Sequence, residues 1–351
     1  LKNHNDDGVF AYRIPGLETT KSGRLVAIYD IRYDNAGDLQ GNIDVGMSFS
    51  DDKGESWSKM KPILDFGEYG GLPNALNGVG DAAILYDSSQ NRLWVAALWV
   101  HGLQGKGAWH NSKSGLDPKL TGQLVLTYSD DEGESWSKPI NITKDVKDKS
   151  WRLFFNGPGK GIVMKNGTLV FACQHIDKDG IPYSGILFSE DKGQTWNVSH
   201  TNYSNTTEAQ VVEIKPNVLM LNMRDNRGNS RAIYTTNDLG KSWAKHPSSN
   251  KLLDDPVCMA SLIKIEANNN ILGKDILLFS NPNSTKDRKN ITIKISYDNG
   301  NSWSPKNILL DSEFGWGYSC LTQIDKSTIG ILYEGSTSHL VFQKISLTDF
   351  Q

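Results

Sequence analysis

The stretch Ser129-Asp-Asp131-Glu-Gly133-Glu-Ser135-Trp136 is one copy of an eight-residue pattern that occurs five times in the chain. The pattern is Ser or Thr, x, Asp, x, Gly, x, Ser or Thr, Trp. Its Asp can accept backbone N–H bonds in a tight turn, and its Gly supplies the positive φ that the turn needs. We expect the hydroxyl groups to bond locally and the Trp to bury the base of a hairpin. We call each copy an Asp box; the other four begin at Ser50, Ser189, Thr236 and Ser296.

The spacing of the boxes predicts the architecture. Their tryptophans are separated by 79, 60, 47 and 60 residues, and short β-rich runs such as residues 43–49 and 123–128 flank them. Repeats of about 50 to 60 residues, each with about four short strands, are typical of β-propellers. We therefore predict an all-β, six-bladed β-propeller that takes up residues 1–351 as a single domain.

One irregular stretch interrupts this regularity. The longest interval between boxes contains a Gly-rich segment from His101 to Thr121, which we interpret as an insertion at about residues 101–122. We expect it at a blade edge near the ligand face. A solvent loop without a role is the alternative, since connecting segments usually run over the surface.

Composition excludes several classes of protein. The 351 residues include 37 Lys plus Arg and 40 Asp plus Glu, and the formal net charge of −3 provides no basic field for nucleic acid. The longest uncharged apolar run, Leu93 to Val100, is far shorter than the roughly 20 residues that span a bilayer, so no membrane insertion is expected. The three cysteines include no C-x-x-C pair, which favours neither a disulfide scaffold nor a zinc site.

Common catalytic and cofactor motifs are absent. The chain has no H-E-x-x-H, no Walker A and no G-x-S-x-G sequence. Residues 78–83 imitate a dinucleotide fingerprint, but they lead into a strand-like run instead of a helix. A calcium loop beginning at Asp130 would need Glu at its twelfth position, which is Asn141. We therefore expect no metal and no cofactor, and we interpret the boxes as structural.

A specific resemblance comes from Tyr12-Arg13-Ile14-Pro15 followed by the five boxes. This combination resembles the bacterial exo-α-sialidases (neuraminidases), glycoside hydrolases of family 33 type, over essentially the whole chain. The resemblance implies the sialidase propeller and retaining hydrolysis of terminal α-linked sialic acid from glycoconjugates (EC 3.2.1.18) through a covalent tyrosyl intermediate. It also implies sialylated glycans as partners and a secreted, periplasmic or cell-surface location. Because the chain begins at Leu1 without an initiator Met, we expect that a leader has been removed.

The resemblance also assigns substrate-binding residues. Arg13, Arg224 and Arg288 match the three arginines that hold the sialic-acid carboxylate, a task suited to guanidinium forks. Arg32 resembles the residue near the sugar 4-hydroxyl, and Asp81 resembles the Asp that bonds the 4-hydroxyl or the amide, with an ordinary turn Asp as the alternative. Glu334 resembles the glutamate that holds the first arginine. Three other arginines are expected to be surface residues: Arg152, Arg227 and Arg231.

Three residues match the catalytic groups of that family. Asp38 resembles the general acid/base, with Asp34 as its competitor, and we expect it on a mobile, partly desolvated loop. Tyr318 resembles the nucleophile and Glu208 its base, with Glu213 as the alternative. A neutral phenol suits this reaction, because an anionic nucleophile would be repelled by the carboxylate on the reacting carbon.

Two other functions use the same pattern. A trans-sialidase or intramolecular sialidase would share these residues and differ in acceptor-site aromatics, for which Trp109 and Trp316 are candidates. A non-catalytic Asp-box propeller that binds glycans would lack one of the three catalytic residues. All three positions are filled, which favours the enzyme.

Overall fold

Short strands with buried apolar residues, bounded by turns, follow one another along the chain in a computed structural model that describes residues 1–103 and 107–351. The described residues form 27 strands, numbered here along the chain, and six sheets of three to five strands. The first sheet contains β1 (Ala11–Thr19), β2 (Leu25–Arg32), β3 (Ile43–Ser50) and β4 (Lys61–Leu64). The second contains β5 (Val79–Asp87), β6 (Arg92–Trp99), β7 (Gln123–Ser129) and β8 (Ile140–Asn141).

The third sheet has an interrupted inner strand. β9 (Leu153–Asn156) and β11 (Ile162–Val163) both pair with β12, whereas β10 (Gly159–Lys160) between them pairs in parallel with β5 of the second sheet. The chain thus ties the second and third sheets together. The remaining strands of the third sheet are β12 (Leu169–Ile176), β13 (Pro182–Ser189) and β14 (Asn197–Ser204).

The last three sheets repeat the antiparallel pattern. The fourth contains β15 (Thr206–Lys215), β16 (Val218–Asp225), β18 (Ala232–Thr236) and β19 (Ala244–Lys245). The fifth contains β21 (Ser261–Ile265), β22 (Ile276–Pro282), β23 (Ile291–Ser296) and β24 (Ile308–Asp311), and the sixth contains β25 (Ser319–Gln323), β26 (Thr328–Tyr333) and β27 (Val341–Ser346). A separate two-stranded ladder pairs β17 (Asn229–Ser230) with β20 (Asp254–Asp255).

Helices in the described part of the chain are few and short. It contains the α-helices α1 (Gly107–Asn111) and α2 (Thr143–Val146) and the 3₁₀ turns Asp6–Gly8, Asn74–Leu76, Ala267–Asn269 and Leu347–Phe350. None of the helices in the described part of the chain is long and apolar enough to cross a membrane.

The hydrophobic core lies between neighbouring sheets. Val26 and Met47 of the first sheet pack with Val95 of the second in one cluster, and further clusters join each sheet to the next. The ring closes where Tyr12 and Tyr29 of the first sheet pack with Leu332 of the sixth. The predicted all-β, six-bladed propeller is therefore confirmed.

The Asp boxes form a repeated turn at the end of the third strand of a blade. In the second box, Ser129 Oγ donates to Asp131 Oδ1 at 2.7 Å, and Asp131 Oδ1 also accepts the Ser135 N–H at 2.9 Å. Gly133 has a φ of +91° and donates its N–H to Ser129 Oγ at 2.8 Å. The other four boxes make the same three bonds.

Box glycines also touch the preceding blade. A Cβ on Gly193 would lie 2.3 Å from the Trp94 ring of the second blade, and one on Gly54 would lie 2.0 Å from the Phe342 ring of the sixth. Any side chain there would push neighbouring blades apart, so glycine is needed for contact as well as for φ. We call the face that carries these turns the box face.

Candidate active site

A cavity of about 660 Å³ opens on the face opposite the boxes. In each blade the first and second strands are antiparallel, so the start of the first strand and the end of the second lie on the same face of the propeller. The cavity opens on that face. Seven of the nine predicted site residues line the cavity: Arg13, Asp38, Asp81, Glu208, Arg224, Arg288 and Tyr318. Arg32 and Glu334 are fully buried and support residues that line it.

Tyr318 and Glu208 form the shortest polar contact in the cavity. The Tyr318 hydroxyl donates to Glu208 Oε1 at 2.5 Å, and Arg224 Nη1 lies 2.6 Å from Glu208 Oε2 and 3.2 Å from the Tyr318 oxygen. Burial, reinforced by the Glu208 charge, raises the pKa of Tyr318 well above its usual range. The phenol is therefore neutral at rest and has a carboxylate ready to accept its proton.

The turn before Tyr318 depends on glycine. Gly317 has a φ of +87°, and a Cβ there would lie 2.7 Å from Pro282 Cγ. A residue with a side chain would be strained at this φ and would clash with Pro282, so only glycine fits here. The turn brings the phenol of Tyr318 to the start of β25.

Glu334 connects the first arginine to the tyrosine. Its carboxylate accepts from Arg13 Nε at 2.7 Å, from the Ile14 N–H at 2.9 Å and from the Tyr318 N–H at 3.0 Å. One buried carboxylate thus holds the starts of β1 and β25 in register, although 321 residues separate Arg13 from Glu334.

Acidic groups gather around buried Arg32. Its Nη2 donates to Asp30 Oδ2 at 2.9 Å and its Nη1 donates to Asp38 Oδ1 at 2.8 Å. The Asp81 N–H donates to the other Asp30 oxygen at 2.9 Å. Burial raises the pKa of Asp30 to about 6 in spite of Arg32, and burial together with the Asp30 charge raises the pKa of Asp81 well above its usual range. A protonated Asp81 could donate a hydrogen bond to a ligand.

Asp38 lies at the mouth of the cavity. Its side chain is 80% exposed, but the surrounding groups still desolvate its carboxyl in part. Local burial acts to raise the pKa of Asp38, but the Arg32 guanidinium, with Arg13 and Arg288, outweighs it and the net shift is downward. Asp38 is therefore ionised before a ligand arrives.

The three arginines retain hydrogen-bonding capacity. Arg288 donates to the backbone oxygens of Trp316 and Val257, each at 3.1 Å. Arg224 Nε is buried and has no hydrogen-bond partner among the described residues. Three guanidinium groups share the cavity with three carboxyl groups, and the raised pKa of Asp81 removes one of the negative charges. The remaining balance of charge is positive and favours an anion.

The competing residues lie elsewhere. Asp34 and Glu213 are absent from the cavity wall, and Glu213 accepts backbone N–H bonds from Lys165 and Asn217 instead. Arg227 pairs with Asp225 at 3.0 Å on a half-exposed side chain.

The expectation for Arg231 was wrong. Its guanidinium is buried beneath the cavity, where Nε donates to Asn222 Oδ1 at 2.7 Å and Nη1 donates to the Cys258 backbone oxygen at 2.5 Å. Asp255 lies 3.6 Å away and shares the burial. An isolated Arg in sequence gives no sign that a distant carboxylate will neutralise it.

The insertion contributes to the cavity wall. Helix α1 supplies Trp109 and His110, and the Ala108 N–H donates to the Leu39 backbone oxygen at 2.7 Å. Residues 104–106 of the predicted insertion lie outside the described residues. Trp316 does not line the cavity; the Arg13 guanidinium lies 4.5 Å from its ring centroid.

Sequence reasoning missed several residues at the cavity. Gln174 lines the wall and Asn226 follows Arg224 by two positions. The polar pair Gln174-His175 near the end of the otherwise apolar run Leu169–Ile176 is the one local signal that could have drawn attention to Gln174. Among the described residues, no group of three His, Cys, Asp or Glu side chains could hold a metal ion.

The fold and the site define a class of protein: a six-bladed β-propeller with three arginines and a tyrosine–glutamate pair in one cavity. A family described as "BNR repeat-like domain" matches residues 23–331. The chain is 54% identical over 350 residues to a sialidase of Bacteroides fragilis, covering 99% of this chain and 64% of that protein. It is 30% identical over 358 residues to a sialidase of Paraclostridium sordellii, covering 95% of this chain and 84% of that one.

Comparison with a solved structure also gives a sialidase. The chain superposes on the Hadza microbial sialidase Hz136 with a TM-score of 0.97 and 54% identity, covering 99% of this chain and 68% of that chain. The protein belongs to the sialidase family, which confirms the resemblance seen in the sequence. It spans 64% of the length of its Bacteroides relative.

Proposed function

We propose that this protein is a retaining exo-α-sialidase that hydrolyses terminal α-linked sialic acid from glycoconjugates. The observation that carries the proposal is the 2.5 Å hydrogen bond from Tyr318 to Glu208 inside a cavity lined by three arginines. We assign residues 1–351 to one catalytic propeller. Its substrates are sialylated glycans, and we propose that it meets them outside the cell.

Substrate binding begins with the carboxylate. Arg13, Arg224 and Arg288 grip it, and Glu334 keeps Arg13 in place through the 2.7 Å bond to Nε. The folded protein already holds these charges in the cavity, so substrate binding requires little reorganisation. Asp81, with its raised pKa, donates a hydrogen bond to an oxygen of the sugar.

The first chemical step forms a tyrosyl–sugar bond. The Tyr318 oxygen attacks the anomeric carbon, and its proton passes to Glu208 Oε1. The glycosidic C–O bond breaks as Asp38 gives a proton to the departing oxygen. Arg224 lies 3.2 Å from the tyrosine oxygen and stabilises negative charge that develops there.

Asp38 becomes an acid only when substrate is present. Its pKa is lowered in the free protein by the surrounding arginines, Arg32 first. A bound carboxylate offsets the charges of Arg13 and Arg288, and the glycan excludes water from the Asp38 side chain. Both changes raise the pKa of Asp38 and favour its protonated form.

The second step releases the sugar. Asp38, now ionised, takes a proton from a water molecule that attacks the anomeric carbon. The tyrosyl–sugar bond breaks, Glu208 returns its proton to Tyr318, and two inversions leave the anomeric configuration retained.

The test compares hydrolysis of 4-methylumbelliferyl α-sialoside by wild type, Tyr318→Phe and Asp38→Ala. We expect Tyr318→Phe to lose at least about 10³-fold in kcat, since it removes the nucleophile. Asp38→Ala should lose about 10²-fold to 10⁴-fold on a glycan substrate, and less on the aryl sialoside, whose leaving group needs little protonation. Tyr234→Phe and Asp34→Ala are matched controls outside the cavity.

Product analysis distinguishes the related activities. Free sialic acid released first as the α-anomer, seen by NMR, supports retaining hydrolysis. Transfer to an added galactoside or an intramolecular anhydro product would instead indicate trans-sialidase chemistry. Full activity in Tyr318→Phe would refute the assigned nucleophile, and wild type that binds sialic acid without turnover would be a glycan-binding propeller.

A further inference from the structure

A second cavity, of about 390 Å³, lies on the other side of the second blade. Leu98 lines the large cavity and the next residue of β6, Trp99, lines the second one. Successive side chains of a strand lie on opposite faces of its sheet, so the second blade separates the two cavities. A volume near 400 Å³ is within the range of small-ligand sites.

Aromatic rings form one wall of the second cavity. Trp99 is stacked on Phe66 at 4.3 Å between ring centroids, and Tyr69 meets the Trp99 ring edge-on at 5.3 Å. Tyr69 is 52% exposed, unlike most aromatic residues of this chain. An exposed aromatic ring backed by a packed cluster offers a flat apolar surface with a hydroxyl at its edge, which suits the C–H face of a sugar ring.

One buried residue organises this wall. Asn77 Nδ2 lies within 3.0–3.2 Å of four backbone oxygens in the loop that carries Tyr69, namely those of Gly67, Tyr69, Leu72 and Pro73. Its Oδ1 lies 2.7 Å from His101 Nδ1. The loop and the imidazole are thus held in place before any ligand binds, which lowers the entropy cost of binding.

Polar groups line the opposite wall. With Nδ1–H committed to Asn77, a neutral His101 presents Nε2 as an acceptor; burial, followed by the nearby Lys119 charge, lowers the pKa of His101 and keeps it neutral. Asn141 adds an exposed amide. Lys119 and Lys144 are exposed at the cavity, and neither forms an ion pair with a described residue. Asp117 is the one carboxylate in this wall, so the local balance of charge is positive.

We propose that this cavity is a second, non-catalytic saccharide site that binds an acidic pyranose. The sugar ring lies against the exposed ring of Tyr69, which buried Trp99 supports from behind. Its hydroxyls bond to His101 and to the amide hydrogen and lone pair that Asn141 keeps beside its bonds to Gln123 Oε1 and the Thr143 N–H, each at 3.0 Å. Its carboxylate or sulfate lies between Lys119 and Lys144. No bond is made or broken there. If the proposed sialidase activity holds, this site keeps one branch of an acidic glycan on the enzyme while the large cavity acts on another, which raises the effective substrate concentration.

The test measures binding by calorimetry with three probes: glucuronic acid, galactose 6-sulfate and galactose. We expect saturable binding of one or both acidic sugars and much weaker binding of galactose. Lys119→Ala/Lys144→Ala and Tyr69→Ala should each weaken the acidic sugar by about tenfold or more. Arg288→Ala weakens the anion site of the large cavity but should keep the saturable binding that the two second-cavity variants weaken. The exposed pair Lys138→Ala/Lys241→Ala should bind as wild type does.

Three results would overturn the proposal. The first is that neither acidic sugar shows saturable binding. The second is that galactose binds with the same affinity as the acidic sugars. The third is that Arg288→Ala loses binding of the acidic sugars while Lys119→Ala/Lys144→Ala keeps it. The two lysines are exposed, so their replacement leaves the fold intact, and thermal unfolding checks this for Tyr69→Ala. The binding measurement needs no turnover, so it can be interpreted even if the proposed hydrolysis is not found. The two acidic probes distinguish a carboxylated from a sulfated ligand.

Discussion

The two faces of the propeller use their carboxylates in opposite ways. On the box face, each Asp accepts hydrogen bonds from groups two and four residues away, and local bonds lower the pKa values of Asp191 and Asp238 to about 2. On the cavity face, burial raises the pKa of Asp30 to about 6 and raises that of Asp81 well above its usual range. The surroundings of the box carboxylates thus stabilise their ionised form, whereas the surroundings of Asp30 and Asp81 disfavour it.

The difference reflects what each face is for. On the box face, the hydrogen bonds of each box form within a single turn, so each box stabilises its own turn. The cavity face brings together groups from several blades, leaves Arg224 Nε without a partner among the described residues, and keeps charges ready for a ligand. Such a site costs stability that the rest of the fold offsets.

The sharpest test of this contrast is Glu208→Gln. The amide keeps the shape of Glu208 but cannot take the Tyr318 proton, so we expect kcat to fall by about 10³-fold, within the range for loss of a general base. Thermal stability should fall, because the variant also removes the carboxylate that lies 2.6 Å from Arg224 Nη1. Glu213→Gln is the matched control. A loss of activity in Glu213→Gln equal to that in Glu208→Gln would contradict the assignment.

Glu334→Gln tests whether the cavity face depends on long-range pairing. The variant leaves the Arg13 charge without its buried partner, and we expect the free energy of unfolding to fall by about 3 kcal/mol. The Michaelis constant for the sialoside should also rise, because Arg13 loses its orientation. Urea unfolding and steady-state kinetics measure the two effects. Unchanged stability would mean that Glu334 is not the anchor of Arg13.

Asp44→Asn tests the effect of burial through pH. Asp44 is buried near the start of β3, opposite Ile31 of β2, and burial, with the nearby Asp65 charge, raises its pKa to about 7. The folded wild type therefore keeps a proton that the unfolded chain releases near pH 4, and its stability falls as pH rises from about 4 to 7. Relative to wild type, Asp44→Asn should gain about 4 kcal/mol between pH 4 and pH 8. A difference that does not vary with pH in chemical denaturation would refute this.

Asp131→Ala should have the smallest effect and completes the contrast. It removes the hydrogen bonds that the Ser129 hydroxyl, the Ser135 hydroxyl and the Ser135 N–H donate to the carboxylate in one exposed turn. We expect a loss of about 1 kcal/mol in the free energy of unfolding. Activity per folded molecule should be unchanged, because the box lies on the opposite face from the cavity. A selective loss of kcat would show that the two faces are coupled.

Much of this architecture could be predicted because its signals are local. The five boxes alone predicted the blades, since each turn needs only its own Asp, Gly and hydroxyls. Seven of nine predicted site residues line one cavity, and those predictions relied on the family resemblance, not on spacing. The burial of Arg231 was missed because its carboxylate partner, Asp255, is 24 residues away in the chain. The ion pair between Arg32 and Asp38 was missed although only six residues separate them, because the sequence does not fix the course of the loop after β2.

Local sequence was sufficient for the box turns, because their hydrogen bonds join residues within four positions, and the repetition of these turns was sufficient for the β-propeller class. The tertiary structure alone decided which charges would be buried together. Tyr318 and Glu208 are 110 residues apart, and Arg13 and Glu334 are 321 apart, yet each pair is in hydrogen-bond contact. Ring closure brings these residues to one cavity, where burial and neighbouring charge set their pKa values, and neither quantity is encoded near the residue it governs.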